Sequence, residues 1–153
     1  MFNRNKLGEI MTVENIGEGG EFKQLDVQLF SDAVSAGFPS PASDYCERKL
    51  DLNELCIQHP AATYFVRAQG DSMIDAGIFP GDVIVVDRSI SASHGDIVIV
   101  SVNGELTVKM LETRPKMRLV PMNNTYDPID VPEDSDLEVF GVATTVIHSL
   151  RKL

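Results

Sequence analysis

From residue 62 onward the chain is built of short apolar blocks, each about as long as a β-strand and each bounded by turn residues. Thr63-Tyr64-Phe65-Val66-Arg67-Ala68-Gln69 is the first, and residues 82–87 form the second, after the breakers Gly77, Pro80 and Gly81. Residues 96–102 and 105–111 flank Asn103-Gly104. Asn-Gly between two apolar runs is a strong hairpin signal, because both residues tolerate positive φ. Residues 117–121 and 137–148 predict further strands. The pattern therefore predicts a mostly β domain with a bent, partly barrel-like sheet and no internal repeat.

Upstream the pattern is weaker. Residues 1–20 are polar and end in Gly17-Glu18-Gly19-Gly20, which reads as a flexible arm, with Met11 as an alternative start. Leu25, Val27 and Leu29 alternate with polar residues as in a short extended segment, and residues 30–36 have room for two helical turns. Ser35-Ala36-Gly37-Phe38-Pro39-Ser40-Pro41 excludes regular structure and reads as a linker. Residues 44–55 predict a short helix capped by Asp44, with Asp51 and Asn53 counting against it.

A two-residue turn fixes the hairpin register, pairing Val102 with Glu105, Val100 with Thr107 and Val98 with Lys109. Lys109 then shares a face with Val98, Val100, Thr107 and Leu111, while Ile97, Ile99, Leu106, Val108 and Met110 make the other face apolar as well. Among aliphatic neighbours an ammonium is disfavoured, and a lysine that is neutral near pH 7 is a competent general base. The alternative is a lysine that extends its ammonium to water at a sheet edge. Ser72, in Gly70-Asp71-Ser72-Met73 after the first strand, is the candidate nucleophile; the alternative is an ordinary tight turn. The stretch does not fit Gly-x-Ser-x-Gly. His59, His94 and His148 belong to no catalytic motif of their own, and neither they nor Cys46 and Cys56 have metal-ligand spacing. No metal or cofactor is expected.

Composition narrows the class. At 153 residues and 43% hydrophobic, the chain can bury one core, and no apolar run approaches the ~18 residues of a membrane helix. There is no secretory h-region after the basic N-terminus, so a cytoplasmic protein with reduced thiols is expected. A net charge of −10 argues against direct nucleic-acid binding, and Glu133, Asp134, Asp136 and Glu138 read as a solvated, DNA-repelling surface.

Several segments in one order carry a resemblance: Leu29-Phe30-Ser31-Asp32, Gly37-Phe38-Pro39-Ser40-Pro41-Ala42, Gly70-Asp71-Ser72-Met73-Ile74-Asp75, Ser93-His94-Gly95-Asp96-Ile97-Val98 and Phe140-Gly141-Val142. Together they resemble the self-cleaving LexA-type serine peptidase family with its β-clip fold. The likeness is strongest to its UmuD-type members, the accessory subunits of translesion DNA polymerase V, and it covers nearly all of residues 30–153. The resemblance implies Ser72 as nucleophile, Lys109 as base, the Asp71 and Ser72 backbone N–H groups as oxyanion donors, and Ala36-Gly37 as the scissile bond. UmuD-type chains can carry Cys-Gly at that bond; Ala-Gly is similar to the repressor branch. Residues 1–36 would then be a removable arm and residues 37–153 the peptidase and dimerisation domain. The implied partners are a second copy of the chain, a RecA filament on single-stranded DNA formed during DNA damage, and a translesion polymerase catalytic subunit. Gln24-Leu25-Asp26-Val27-Gln28-Leu29-Phe30 also resembles sliding-clamp docking peptides, with an amphipathic segment packing on its own domain as the alternative. Competing readings are a LexA-like repressor, disfavoured by a short arm without helical periodicity, a signal-peptidase-like enzyme, which would need a membrane anchor, and a non-enzymatic interaction module.

Overall fold

The computed structural model describes residues 12–18, 27–30, 46–135 and 137–151. The chain divides into two compact units, Glu21–Gln58 and the combination of Met1–Gly20 with His59–Leu153.

In the smaller unit, β2 (Val27–Phe30) pairs antiparallel with β3 (Cys46–Leu50), with a register shift between Leu29 and Phe30. A single-turn helix, α1 (Leu52–Cys56), follows. This corrects the expected helix over residues 44–55. Asp51 stays extended and its carboxylate accepts the Asn53 N–H at 2.9 Å, so it starts the helix there instead of interrupting an earlier one. The residues before it are used in sheet pairing.

The larger unit holds the other strands: β1 (Thr12–Glu18), β4 (Thr63–Gln69), β5 (Val83–Asp87), β6 (Ile97–Val102), β7 (Glu105–Glu112), β8 (Arg118–Val120), β9 (Ile129–Asp130) and β10 (Glu138–Ile147). They form one antiparallel sheet in the order β1-β4-β5-β10-β6-β7-β8-β9. A single bridge, Thr12↔Thr107, brings β1 back to β7, short of a closed barrel. The mostly β, strongly bent sheet is thus as the sequence pattern requires. β1 is a correction: residues 12–18 belong to the stretch read as a flexible arm, yet they pair along β4 from Thr12↔Gln69 to Glu18↔Tyr64. The pairing uses backbone groups, which a hydrophobic pattern does not report.

β10 runs through the middle of the sheet and joins its halves, pairing first with β6 and then with β5. Two register shifts, at Val139/Gly141 and Ala143/Thr145, let it bend. Gly141 is required by packing at this bend. A Cβ there would stand 2.6 Å from Val86 Cγ1 and 3.1 Å from the Asp87 carbonyl oxygen.

The β6–β7 hairpin has the register deduced from Asn103-Gly104, from Val102↔Glu105 through Val98↔Lys109 to Ile97↔Met110. Both turn residues take positive φ, 52° and 82°. The hairpin divides two core clusters. Ile99 and Val108 pack with Val66, Ala68, Met73, Ile78, Ile84 and Val86, whereas Val98, Val100 and Leu111 pack with Leu119 and Val142. Burial on both faces makes it the structural centre of the unit.

Candidate active site

Ser72 lies just beyond the end of β4. Gly70, at φ 83°, turns the chain out of the strand, and a short 3-10 turn, Ile74–Ala76, closes on Gly77. Met73 is fully buried in the first core cluster and anchors the turn. Its carbonyl accepts the Ala76 and Ile78 N–H groups at 3.0 and 3.3 Å. Ser72 is itself completely buried. A serine placed between a glycine turn and a core-anchored methionine has little freedom to move.

Lys109 comes to this serine from the middle of β7. Its Nζ stands 3.4 Å from Ser72 Oγ, 3.0 Å from Thr107 Oγ1 and 2.8 Å from the Val108 carbonyl oxygen. The side chain is 1% exposed, and none of the ion pairs among the described residues includes it. Burial without a countercharge therefore pushes the amine down from its ordinary value of 10.5 to about 8. The alternative, a lysine that extends its ammonium to water at a sheet edge, is set aside by this burial.

The partner set matches what a base requires. A neutral amine has two N–H bonds and one lone pair. Val108 and Thr107 provide acceptors for the two N–H bonds, and the remaining direction faces Ser72 Oγ. That arrangement can take the serine proton and return it. Thr107 sits two residues before Lys109, hence on the same strand face, so a Thr-x-Lys spacing in a predicted strand was the available signal for it.

The turn is braced by the segment after β8. The Asp75 N–H donates to the Met122 carbonyl at 2.8 Å, the Met122 N–H approaches Met73 Sδ at 3.4 Å, and Asn123 Nδ2 donates to the Asp71 carbonyl at 3.0 Å. Tyr126 OH donates to Asp71 Oδ1. Sequence reasoning missed this brace, because contacts between two loops leave no periodic mark.

The histidines have other tasks. His59 Nδ1 lies 2.6 Å from Asp87 Oδ2 and His148 Nδ1 2.5 Å from Asp82 Oδ1, so each pins one end of β5. His94 Nδ1 accepts the Thr113 N–H at 2.9 Å. Asp87 is shielded by burial, which acts to raise its pKa, yet hydrogen bonds from Ser89 and His59 outweigh this and hold it below the ordinary carboxylate value. Among the described residues no group of three or more His, Cys, Asp or Glu side chains is placed to hold a metal ion. Nor is any described helix long and apolar enough to cross a membrane. Ala36 and Gly37 lie outside the described residues. Of Gln24-Leu25-Asp26-Val27-Gln28-Leu29-Phe30, only the last four are described, as β2.

A buried Ser-Lys pair on a bent antiparallel sheet is a site of serine-hydrolase character, and similarity to known proteins agrees. Residues 28–144 match the Peptidase S24-like family. The chain is 50% identical to Protein SamA of Salmonella typhimurium strain LT2 over 128 residues, 84% of this chain and 89% of that protein. It is 43% identical to Protein MucA of Escherichia coli over 141 residues, 92% and 94% of the two chains. It is also 44% identical to the LexA repressor of Alcanivorax borkumensis over 117 residues, 75% of this chain and 56% of the repressor. The chain belongs to the peptidase S24-like family. It is a serine peptidase of the self-cleaving kind, as the motif resemblance implied.

Proposed function

We propose that this chain cuts its own Ala36-Gly37 bond with Ser72 as nucleophile and Lys109 as general base. The observation that carries the reading is the buried lysine amine beside the buried serine hydroxyl, with no carboxylate among the described residues paired to the amine. Neutral Lys109 takes the proton from Ser72 Oγ as the oxygen attacks the Ala36 carbonyl carbon. The backbone N–H groups of Asp71 and Ser72 receive the oxyanion. The C–N bond then breaks, the Lys109 ammonium protonates the Gly37 amine, and Ala36 remains as an ester on Ser72. Water, deprotonated by Lys109, attacks this ester; the Ala36–Ser72 C–O bond breaks, the Lys109 ammonium returns the proton to Ser72 Oγ, and the Ala36 carboxylate is freed. The small Ala36 and Gly37 allow the substrate backbone a close approach.

Because the substrate is part of the same chain, its effective concentration is high, and regulation acts on access of the bond to Ser72. The family likeness supports a role in the response to DNA damage. A RecA filament on single-stranded DNA would favour the cleavable state. The product, residues 37–153, would act as a dimer and as the accessory subunit of an error-prone translesion polymerase in the cytoplasm. The relatives SamA and MucA, which match this chain along most of their length, support this branch over a repressor; the repressor relative extends well beyond the match. The experiment that tests the reading is incubation of the full chain at alkaline pH followed by N-terminal sequencing of the fragments. A fragment beginning at Gly37 is expected. An intact chain, or a different new N-terminus, refutes the assignment.

A further inference from the structure

We infer that Asn123 is a positioning residue for the oxyanion site: by holding the Asp71 carbonyl, it aims the Ser72 N–H. This deepens the peptidase reading above and rests on it. The argument starts from the peptide bond. The Asp71 carbonyl and the Ser72 N–H belong to one planar unit and, in a trans peptide, point in opposite directions. Fixing one fixes the other. Asn123 Nδ2 donates to the Asp71 carbonyl oxygen at 3.0 Å, on the side of that unit away from the Ser72 N–H.

The asparagine is itself held so that only this orientation is possible. Its Oδ1 accepts from the Thr125 N–H at 3.1 Å and from Thr125 Oγ1 at 2.9 Å. A backbone N–H can only donate, so the amide oxygen must face Thr125 and the NH₂ must face Asp71. The Tyr126 N–H closes on the Asn123 carbonyl at 3.1 Å, and the Asp75 N–H ties the preceding Met122 to the serine turn. Asn123 is 7% exposed, so water competes little for these bonds. A donor on the carbonyl also polarises the peptide and strengthens its N–H as a donor to negative charge. Asn123 touches no reacting atom in this scheme; it acts through the Asp71-Ser72 peptide.

The test uses the full chain with two readouts, the rate of self-cleavage across pH and the ¹⁵N resonance of the Ser72 amide recorded at pH 6. Asn123→Ala removes the side-chain donor without adding charge, and leaves on the Asp71 carbonyl only the longer approach of the Ile74 N–H, at 3.4 Å, among the described residues. Asn123→Asp removes it while keeping an acceptor for Thr125, so it carries the test should the alanine variant fold poorly. The expected result is a plateau rate lowered by about tenfold or more in both variants. In Asn123→Ala the midpoint of the pH profile stays where the wild type has it, and the Ser72 ¹⁵N resonance moves upfield while those of Val66 and Ile84 hold. Wild-type cleavage with undiminished rates in both variants overturns this inference alone. So does a lowered rate with an unmoved Ser72 amide, which marks a merely structural effect. A wild-type chain that never cleaves overturns the peptidase reading, and this inference with it.

Discussion

Lys109 Nζ and Ser72 Oγ stand 3.4 Å apart although 37 positions separate them in the chain. The lysine is delivered by a hairpin buried on both faces, the serine by a turn anchored on buried Met73. Neither element can shift without disturbing a core cluster. The pair is therefore held at near-reactive distance before any substrate arrives, and the remaining variable is whether the amine carries a proton.

In the proposed reaction that variable sets the pH dependence of cleavage. Only the neutral amine accepts the serine proton, and burial sets the Lys109 pKa at about 8. The cleavage rate should rise about tenfold per pH unit below that value and level off above it. First-order rates of full-length loss, read from gels between pH 6 and 10, check this. A rate flat across the range contradicts Lys109 as the base.

Removal of either partner should stop the reaction by different amounts. Ser72→Ala deletes the proposed nucleophile and should leave no cleavage at any pH. Lys109→Ala leaves the hydroxyl but no base, and the loss should be roughly a hundred- to ten-thousand-fold. Its residual rate should lose the midpoint near pH 8. Normal cleavage in either variant excludes the pair.

Much of this site was legible in advance because it depends on local rules. Asn103-Gly104 fixes a register, the register fixes which residues flank Lys109, and both steps survive intact in the folded hairpin. The Ser72 turn was marked by the glycines at its two ends. What the sequence did not disclose depends on pairings between distant segments. Residues 12–18 have no apolar alternation, yet they pair along β4 through backbone groups that a hydrophobic pattern does not report. Asp51 looked like a helix breaker because its propensity was judged at an interior position, whereas it sits at the cap, where the same side chain stabilises. Asn123 and Thr107 matter only after Asp71 and Lys109 have been brought beside them.

The bend of β10 depends on Gly141. An added methyl would overlap Val86 Cγ1 at 2.6 Å and press on the Asp87 backbone oxygen and Arg88 Cγ, at 3.1 and 3.3 Å. Val86 is fully buried in the core and cannot move aside freely. Gly141→Ala should cost about 1–3 kcal/mol. Chemical denaturation should show a lower midpoint with an unchanged slope. Wild-type stability in this variant would mean that β10 relaxes at the bulge.

The buried amine also has a stability signature. A lysine whose folded pKa lies below its unfolded value binds fewer protons when folded, between about 8 and 10.5. In that window the unfolded state holds the extra proton, so raising the pH favours folding. Below the window both states are protonated and the penalty for burying the charge is complete; above it both are neutral and the penalty is gone. Lys109→Met keeps the length of the side chain and removes the titration. The stability of wild type relative to Lys109→Met should therefore be constant below pH 8 and rise by roughly 3 kcal/mol on going to pH 10.5. Taking the difference cancels the titration of groups common to both chains. Urea unfolding of both at half-unit pH steps measures it, with Ser72→Ala in each background to keep the chain uncut. A difference that stays level across the window would show that Lys109 remains charged when buried, and would remove the base from the proposed reaction.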